Sequence, residues 1–201
     1  NSVLTHSPQG KIDLNIANLT LDTTSSISAN EKGYKGGASG NIPGEGPGGG
    51  MSMWGYFAGG GGYGGRGGGE NPFGHIFLGG ASYGSAVAPV DLGSGGGGVT
   101  EPNWGFQSKG GNGGGAIKLV VSDTLTLNGS VTANGESSGP GSLVRVATGG
   151  SGGSVYIITS TLTGPGSITA NGGNGGGGGG RIAIYYKTSA FTGMAEVKGA
   201  E

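Results

Sequence analysis

Apolar and polar residues alternate in four separate segments of the chain, and this alternation predicts β-strands. In the clearest segment, 114–135, every second residue from Ile117 through Leu119 to Val121 is apolar. Side chains two residues apart lie on the same face of a strand, so the pattern predicts a strand with one buried face. The four segments do not show the period of a helix over a stretch of about ten residues.

The four segments are copies of one pattern, which we call repeats 1 to 4. Each copy predicts three short strands, and the first three copies close on Ala-Asn. A repeated unit that cannot bury its own apolar face is typical of stacked architectures. The sequence therefore predicts an all-β fold, a parallel β-solenoid of about four rungs. The repeats are 10–30 (GKIDLNIANLTLDTTSSISAN), 114–135 (GGAIKLVVSDTLTLNGSVTANG), 152–172 (GGSVYIITSTLTGPGSITANG) and 179–199 (GGRIAIYYKTSAFTGMAEVKG).

Glycine-rich segments separate the repeats. We call 34–113, 136–151 and 172–180 the first, second and third glycine segments. Each leaves after an Ala-Asn corner and returns at the glycine before a first strand, so all three are predicted to share one exit. The predicted organisation is one compact domain, with the first solenoid rung in 1–33, an excursion in 34–113 and the remaining rungs in 114–201.

The composition is dominated by glycine, which supplies 55 of the 201 residues against an average usage of about 7%. An interior glycine costs about 0.5–1 kcal/mol relative to alanine, and with 32% hydrophobic residues apolar burial alone does not offset this. Backbone hydrogen bonding between closely packed chains is the predicted compensation. The glycine runs favour packed polyglycine II helices with three residues per turn. Irregular loops held by aromatic residues are the alternative.

Charge and cysteine content narrow the function classes. The net charge is −1 and 10% of residues are charged, so the basic stripe of a nucleic-acid-binding protein is absent. The sequence lacks the apolar run of a membrane span. Cysteine is absent, which excludes disulfides and thiolate metal sites. We predict no metal and no cofactor. The chain begins at Asn1 without a signal-peptide pattern, which we interpret as a matured product or an excised domain.

Catalytic motifs are weak in this sequence, and we predict a protein without enzymatic activity. Two windows match G-x-S-x-G, at 80–84 and 149–153, but such matches arise by chance in a chain rich in Gly and Ser. A serine hydrolase also needs a helix after the nucleophile and a partner histidine, whereas only His6 and His75 occur. A polysaccharide-acting β-helix enzyme is the alternative, with a carboxylate pair drawn from Glu45, Glu70, Asp91 and Glu101.

Aromatic residues cluster in the first glycine segment, which holds ten of the fourteen. Exposed Trp and Tyr can stack on sugars or anchor a protein surface. A small core that holds the long segment together is the other interpretation, with Met51, Met53 and Phe57 inside it. The candidate contact residues are Trp54, Tyr56, Tyr63 and Trp104.

Two further surface features follow from aligning the repeats. The alignment predicts one outward column of Thr20, Thr126, Thr163 and Thr192 and another of Ser28, Thr132 and Thr169. Threonine arrays of this kind suit an ice-binding solenoid, although Thr is also an ordinary exposed strand residue. The sequons at Asn18 and Asn128 are candidate glycosylation sites.

The stretch 149–184 reads GGSGGSVYIITSTLTGPGSITANGGNGGGGGGRIAI, with GGGGGGRIAI at 175–184, and is close to the pattern GGxGGSIxI…LxGxGxIxANGGxGxxGGGGRIAI. It resembles the glycine-rich repeats of very large bacterial surface and secreted proteins. The glycine segments are similar in composition to the polyglycine sandwiches of phage tail-fibre tip adhesins and to the glycine-rich domain of certain receptor kinases. The resemblance implies an extracellular or cell-surface location and a structural or adhesive role without catalytic residues. The implied partner is a glycan, a protein surface or further copies of the chain in a fibre.

Overall fold

A computed structural model describes residues 2–53, 57–69, 78–101, 106–138 and 148–200. Within these ranges the chain is all-β and contains no helix. The strands are β1 (Val3–Leu4), β2 (Lys11–Ile16), β3 (Leu19–Leu21), β4 (Ser26–Ser28), β5 (Ser52–Met53), β6 (Phe57–Ala58), β7 (Val99–Glu101), β8 (Phe106–Ser108), β9 (Ala116–Leu127), β10 (Ser130–Thr132), β11 (Ser154–Gly164), β12 (Ser167–Thr169), β13 (Arg181–Tyr185), β14 (Thr188–Phe191) and β15 (Met194–Glu196).

Two parallel sheets contain the repeats. The long-strand sheet has the order β13-β11-β9-β2, with β14 beside β11 and β3 beside β9. The short-strand sheet has the order β1-β4-β10-β12-β15. Two small antiparallel pairs, β5-β6 and β7-β8, lie in the first glycine segment. In both parallel sheets the repeats lie side by side in the order of the chain.

The four repeats pair in one register, as the alternating pattern predicts. Ile12 pairs with Ile117, which pairs with Val155, which pairs with Ile182. The short strands follow the same order, with Ile27 beside Val131 and Val131 beside Ile168. Because the pairing is parallel and unshifted at these positions, equivalent side chains form columns that run across the sheets.

The apolar columns of the two sheets meet in one core. Residues from both sheets belong to the same buried cluster, so the inward faces of the sheets pack against each other. The cluster is completely buried in repeats 2 and 3, whereas Ile182 and Ile184 of repeat 4 are only partly buried. The buried members are Ile12, Leu21, Ile27, Ala29, Ile117, Leu119, Val121, Leu125, Leu127, Val131, Ala133, Val155, Ile157, Leu162 and Ile168.

The structure differs from the prediction in how the first two strands of a repeat are joined. In repeat 2 they form one continuous strand, β9, and in repeat 3 they form β11 with a register shift between Thr159 and Thr161. No Gly or Pro interrupts the sequence at these joints, so the backbone stays extended. At the shift, Thr159 Oγ1 donates to the carbonyl oxygens of Asp123 and Thr161, both at 3.1 Å.

The predicted threonine column is correct in three repeats and wrong in the fourth. Thr20, Thr126 and Thr163 are paired in succession, but Ala190 rather than Thr192 pairs with Thr163. The reason is the register of β14, which places Phe191 beside Gly164. The second predicted column, Ser28, Thr132 and Thr169, is confirmed.

Candidate functional site

The glycine segments form a hydrogen-bonded backbone lattice beside the sheets. In the stretch 93–98, two of the three pairs of residues spaced three apart, 93 with 96 and 95 with 98, donate to the same neighbouring segment, and adjacent residues donate to different ones. This stretch therefore completes one turn in every three residues. The donor N–H groups and acceptor carbonyls are Gly93 to Gly114 (2.8 Å), Gly95 to Glu45 (3.0 Å), Gly96 to Gly111 (2.9 Å), Gly97 to Gly59 (3.0 Å) and Gly98 to Ile42 (2.8 Å).

The same kind of bond joins the three glycine segments into one unit. The first segment donates to the second, the second to the third, and the third back to the first. Each segment therefore supplies donors and acceptors to the others. The bonds are Gly111 to Thr148, Gly149 to Gly175 and Gly178 to Gly61, with lengths of 2.8–3.0 Å.

Close approach of the backbones makes glycine necessary at many of these positions. At Gly110, a Cβ atom would lie far inside contact distance of the Gly96 carbonyl. At Gly64, it would collide in the same way with the Gly180 carbonyl. Its neighbour Gly65 has room, because the nearest atom to a Cβ there is the Gly179 nitrogen at 3.5 Å. The lattice thus depends on the missing side chains and not only on backbone freedom.

An asparagine ladder marks the corner where the glycine segments leave the sheets. The N–H of Asn134 donates to Asn30 Oδ1, and the N–H of Asn171 donates to Asn134 Oδ1, both at 2.8 Å. In repeat 4 the ladder ends, because Lys198 donates its N–H to Asn171 Oδ1 at 2.8 Å but has no side-chain acceptor. The repeated Ala-Asn of the sequence is the signal for this ladder, which the sequence analysis recognised only as a shared exit.

A buried tyrosine cluster attaches the first glycine segment to the long-strand sheet. Tyr63 is completely buried, and its ring centroid lies 4.9 Å from that of Tyr83. Its hydroxyl donates to Ser154 Oγ at 2.7 Å, since the Ser154 hydroxyl hydrogen is used in donating to the Asp91 carbonyl at 2.6 Å. The prediction of Tyr63 as a surface contact residue is therefore wrong, because no part of its ring reaches solvent.

An arginine completes this tyrosine cluster. The Arg181 guanidinium lies 5.5 Å from the Tyr63 ring centroid, and its Nε and Nη2 donate to the Tyr83 carbonyl at 3.1 and 2.9 Å. The Tyr83 hydroxyl donates to the Leu92 carbonyl and accepts from Ser94 Oγ. Burial raises the pKa of both tyrosines above the usual range of the phenol, most strongly for Tyr83.

The segment that follows Tyr83 lies against the long-strand sheet. Tyr185 Oη donates to the Val87 carbonyl at 2.8 Å, and Lys11 Nζ donates to the Val90 carbonyl at 2.7 Å. Together with the Ser154 bond, these contacts connect the segment to β13, β11 and β2. The first glycine segment thus contains a small aromatic core around Tyr63 and Tyr83. The prediction that Met51 belongs to such a core is wrong, because its side chain is 52% exposed.

The other predicted site residues have mixed outcomes. Trp54, Tyr56 and Trp104 lie outside the described residues. Asn18 is exposed and Asn128 is half-buried, and Asn18 Oδ1 accepts from the Thr124 N–H at 3.2 Å.

The candidate catalytic groups are only partly described. Ser151 of one G-x-S-x-G window is buried, and its Oγ accepts from the Ser94 N–H at 2.8 Å. Glu70 and the side chain of Glu101 lie outside the described residues. In the described part of the chain, no group of three His, Cys, Asp or Glu residues is placed to hold a metal ion. There, too, no helix is long and apolar enough to cross a membrane.

Neighbouring glycines give a matched test of the lattice. We expect Gly64→Ala to lower the free energy of unfolding by about 1–3 kcal/mol or more, because the new methyl overlaps the Gly180 carbonyl. Gly65→Ala should change it by less than about 1 kcal/mol, since the site has room and alanine restricts the unfolded chain. Both N–H groups donate to Gly179, so both variants retain their hydrogen bonds. Equal losses in denaturant titrations would contradict the packing described for this lattice.

The tyrosine cluster predicts a loss of stability in alkali. The pKa values of Tyr63 and Tyr83 are raised in the folded state, so the folded protein holds protons that the unfolded chain releases above about pH 10. Below about pH 10 the two tyrosines should therefore add no pH dependence to the free energy of unfolding. Above about pH 10 they should make it fall as the pH rises. Tyr83→Phe should be less stable at neutral pH but show a shallower alkaline decline. Identical alkaline slopes in urea titrations would refute this assignment.

Comparison of the chain with protein-family models, curated proteins and solved structures gives no match.

Proposed function

We propose that the chain is an extracellular structural and adhesive module without catalytic activity, built on a parallel β-solenoid. Each repeat is one rung of the solenoid, and the glycine segments are polyglycine II helices packed along one side of it. The four-repeat register and the core shared by the two sheets support the solenoid. The bonding period of three residues in 93–98 supports the polyglycine helices.

The glycine lattice is the observation that carries this proposal. Its stability comes from backbone hydrogen bonds, which do not depend on particular side chains, ionic strength or a cofactor. The Lys118–Asp13 ion pair, with 3.3 Å between Nζ and Oδ2, is exposed, and exposed pairs contribute at most about 1 kcal/mol. A scaffold of this kind suits a mechanical role at a cell surface, where ionic strength varies. It also suits the presentation of side chains to a binding partner.

The adhesive part of the proposal rests on exposed aromatic and aliphatic residues near the long-strand sheet. Tyr185 and Tyr186 are 45% and 54% exposed, and Tyr156 contacts Tyr185 edge to face with centroids 6.0 Å apart. Ile158 and Val87 are also exposed. Tyrosine offers an apolar ring and a polar hydroxyl together, which suits contact with a glycan or a protein surface.

Ice binding is a second candidate, favoured by one observation. Thr124 and Thr126 of β9 are paired with Thr161 and Thr163 of β11. Residues two apart lie on the same face of a strand, so the four threonines form a regular hydroxyl array. The array continues to Thr188, whose Oγ1 lies 3.1 Å from that of Thr161.

Replacement of the exposed tyrosines tests the adhesive function. We expect the purified protein to bind a subset of glycans or surface proteins on an array, and Tyr185→Ser with Tyr186→Ser to weaken that binding at least tenfold. Ile42→Ser is the matched control, because Ile42 is 49% exposed but belongs to the first glycine segment. Binding should be unchanged in the control.

Two outcomes would redirect the proposal. If the double variant binds as tightly as the original chain, the tyrosine surface is not the contact surface. If the protein binds nothing on the arrays but shapes ice crystals, and Thr126→Lys abolishes that shaping, the threonine array is the functional surface.

A further inference from the structure

Several asparagines of the chain are followed directly by glycine, a pair that is chemically prone to lose the side-chain amide. The reaction begins when the main-chain nitrogen of the glycine attacks the asparagine Cγ. Glycine favours this step because its backbone is the least restricted of all residues. A fold can block the attack by holding either the side-chain amide or the glycine nitrogen. The asparagines concerned are Asn112, Asn128, Asn134, Asn171 and Asn174.

The two ladder asparagines that precede a glycine are held at both groups. Asn134 Oδ1 accepts the Asn171 N–H, and Asn171 Oδ1 accepts the Lys198 N–H, both at 2.8 Å. These bonds direct each side chain towards the next repeat. The Gly135 N–H donates to the Asn171 carbonyl at 2.8 Å, and the Gly172 N–H donates to a carbonyl of repeat 4, also at 2.8 Å. The attack at either asparagine therefore requires that two hydrogen bonds break first.

The glycine nitrogens after Asn112 and Asn128 are held as well. Each glycine donates its N–H to a carbonyl of a segment that is distant in the sequence. A backbone group that is held in this way reacts only while the local structure is open. The bonds are Gly113 to Tyr34 at 2.8 Å and Gly129 to Leu21 at 3.1 Å.

Asn174 differs from the other four asparagines. It is exposed, and it lies in a turn that is closed by the Gly177 N–H, which donates to the Gly173 carbonyl at 3.1 Å. Within the described part of the chain, neither its side chain nor the Gly175 N–H has a hydrogen-bond partner. Gly175 and Gly176 have φ angles of 93° and 88°, a region that glycine adopts readily. Neither group that takes part in the attack is therefore held by the fold.

We propose that Asn174 is a self-modifying site, which deamidates in the folded protein while the other four Asn-Gly pairs are protected. The Gly175 nitrogen bonds to Asn174 Cγ, the Cγ–Nδ2 bond breaks, and the proton of the Gly175 nitrogen leaves with the amide as ammonia. Water then adds to a carbonyl of the resulting succinimide ring and breaks a ring C–N bond. The products are isoaspartate, which is the main one, and aspartate, and the co-reactant is water.

The modification changes the glycine lattice where the second and third glycine segments meet. The Gly149 N–H donates to the Gly175 carbonyl at 3.0 Å. The Asn174 N–H donates to Ser137 Oγ at 3.1 Å. In isoaspartate the main chain runs through the former side chain and is one carbon longer, so the Gly175 carbonyl is displaced from the Gly149 N–H. The two segments are thereby loosened from each other, and this consequence does not depend on the proposed adhesive function.

Tandem mass spectrometry tests the selectivity on the chain without any substitution. The purified protein is incubated in mildly alkaline buffer, once folded and once in concentrated urea, and conversion of amide to acid is followed at each asparagine. In the folded protein, Asn174 should be modified at least tenfold faster than Asn134 and Asn171. In urea the three should react at similar rates, because the hydrogen bonds that protect the ladder are lost.

Each result of this experiment decides the proposal. Selective modification of Asn174 in the folded protein, with similar rates in urea, supports it. Equal rates at Asn134, Asn171 and Asn174 in the folded protein would overturn it, and so would an Asn174 that stays intact until urea is added. A preference for Asn174 that is equally large in urea would place the cause in the local sequence and not in the fold, and would overturn it too.

Hydrogen exchange of the backbone amides tests the consequence of the modification. After incubation, the Gly149 N–H should exchange at least tenfold faster than in fresh protein, whereas the Ile157 N–H of β11 should be unchanged. Asn174→Gln is the matched control, because its longer side chain closes a ring much more slowly. In this variant the same incubation should leave the Gly149 exchange rate unaltered. Unchanged exchange of the Gly149 N–H in protein that carries isoaspartate at position 174 would overturn the loosening.

Discussion

Backbone hydrogen bonding between closely packed chains is the constraint on which this structure depends. In the sheets it aligns the repeats, as in the pairing of Leu119 with Ile157. In the glycine segments it replaces the apolar burial that a chain with 55 glycines cannot supply. A glycine loses more conformational freedom on folding than other residues, so an unpaired glycine segment would stay disordered. The hydrogen bonds between the glycine segments offset this loss of conformational freedom.

The corner residues connect these two hydrogen-bonded systems. Asn30, Asn134 and Asn171 join successive repeats at the point where the glycine segments leave, so the strand register also sets the spacing of the glycine segments. On the long-strand sheet, the buried tyrosine cluster adds a second connection through Ser154 and Arg181. The glycine lattice and the sheets are therefore positioned by each other and not by a flexible linker.

The sequence predicted those parts of the structure that depend on local pattern. Alternating apolar residues predicted the first strands and their alignment. The two-residue period of a strand is visible within a short stretch of sequence and needs no information about distant residues. The second strand of repeat 4 was misaligned, since the apolar Phe191 suggested a match to Leu162 while the pairing places Ser189 there. The continuous β9 was divided in the prediction although no Gly or Pro separates its halves.

Local sequence pattern did not predict the burial of Tyr63, because its partners come from distant positions such as Ser154 and Arg181.

The central claim is that the glycine segments are held by backbone hydrogen bonds. Hydrogen exchange of the backbone amides, measured by NMR on the folded protein, tests it most directly. The account predicts that the N–H groups of 93–98 exchange slowly, at rates comparable to those of β9. Exchange of these glycine amides at the rate of an unstructured peptide, with β9 still protected, would contradict it.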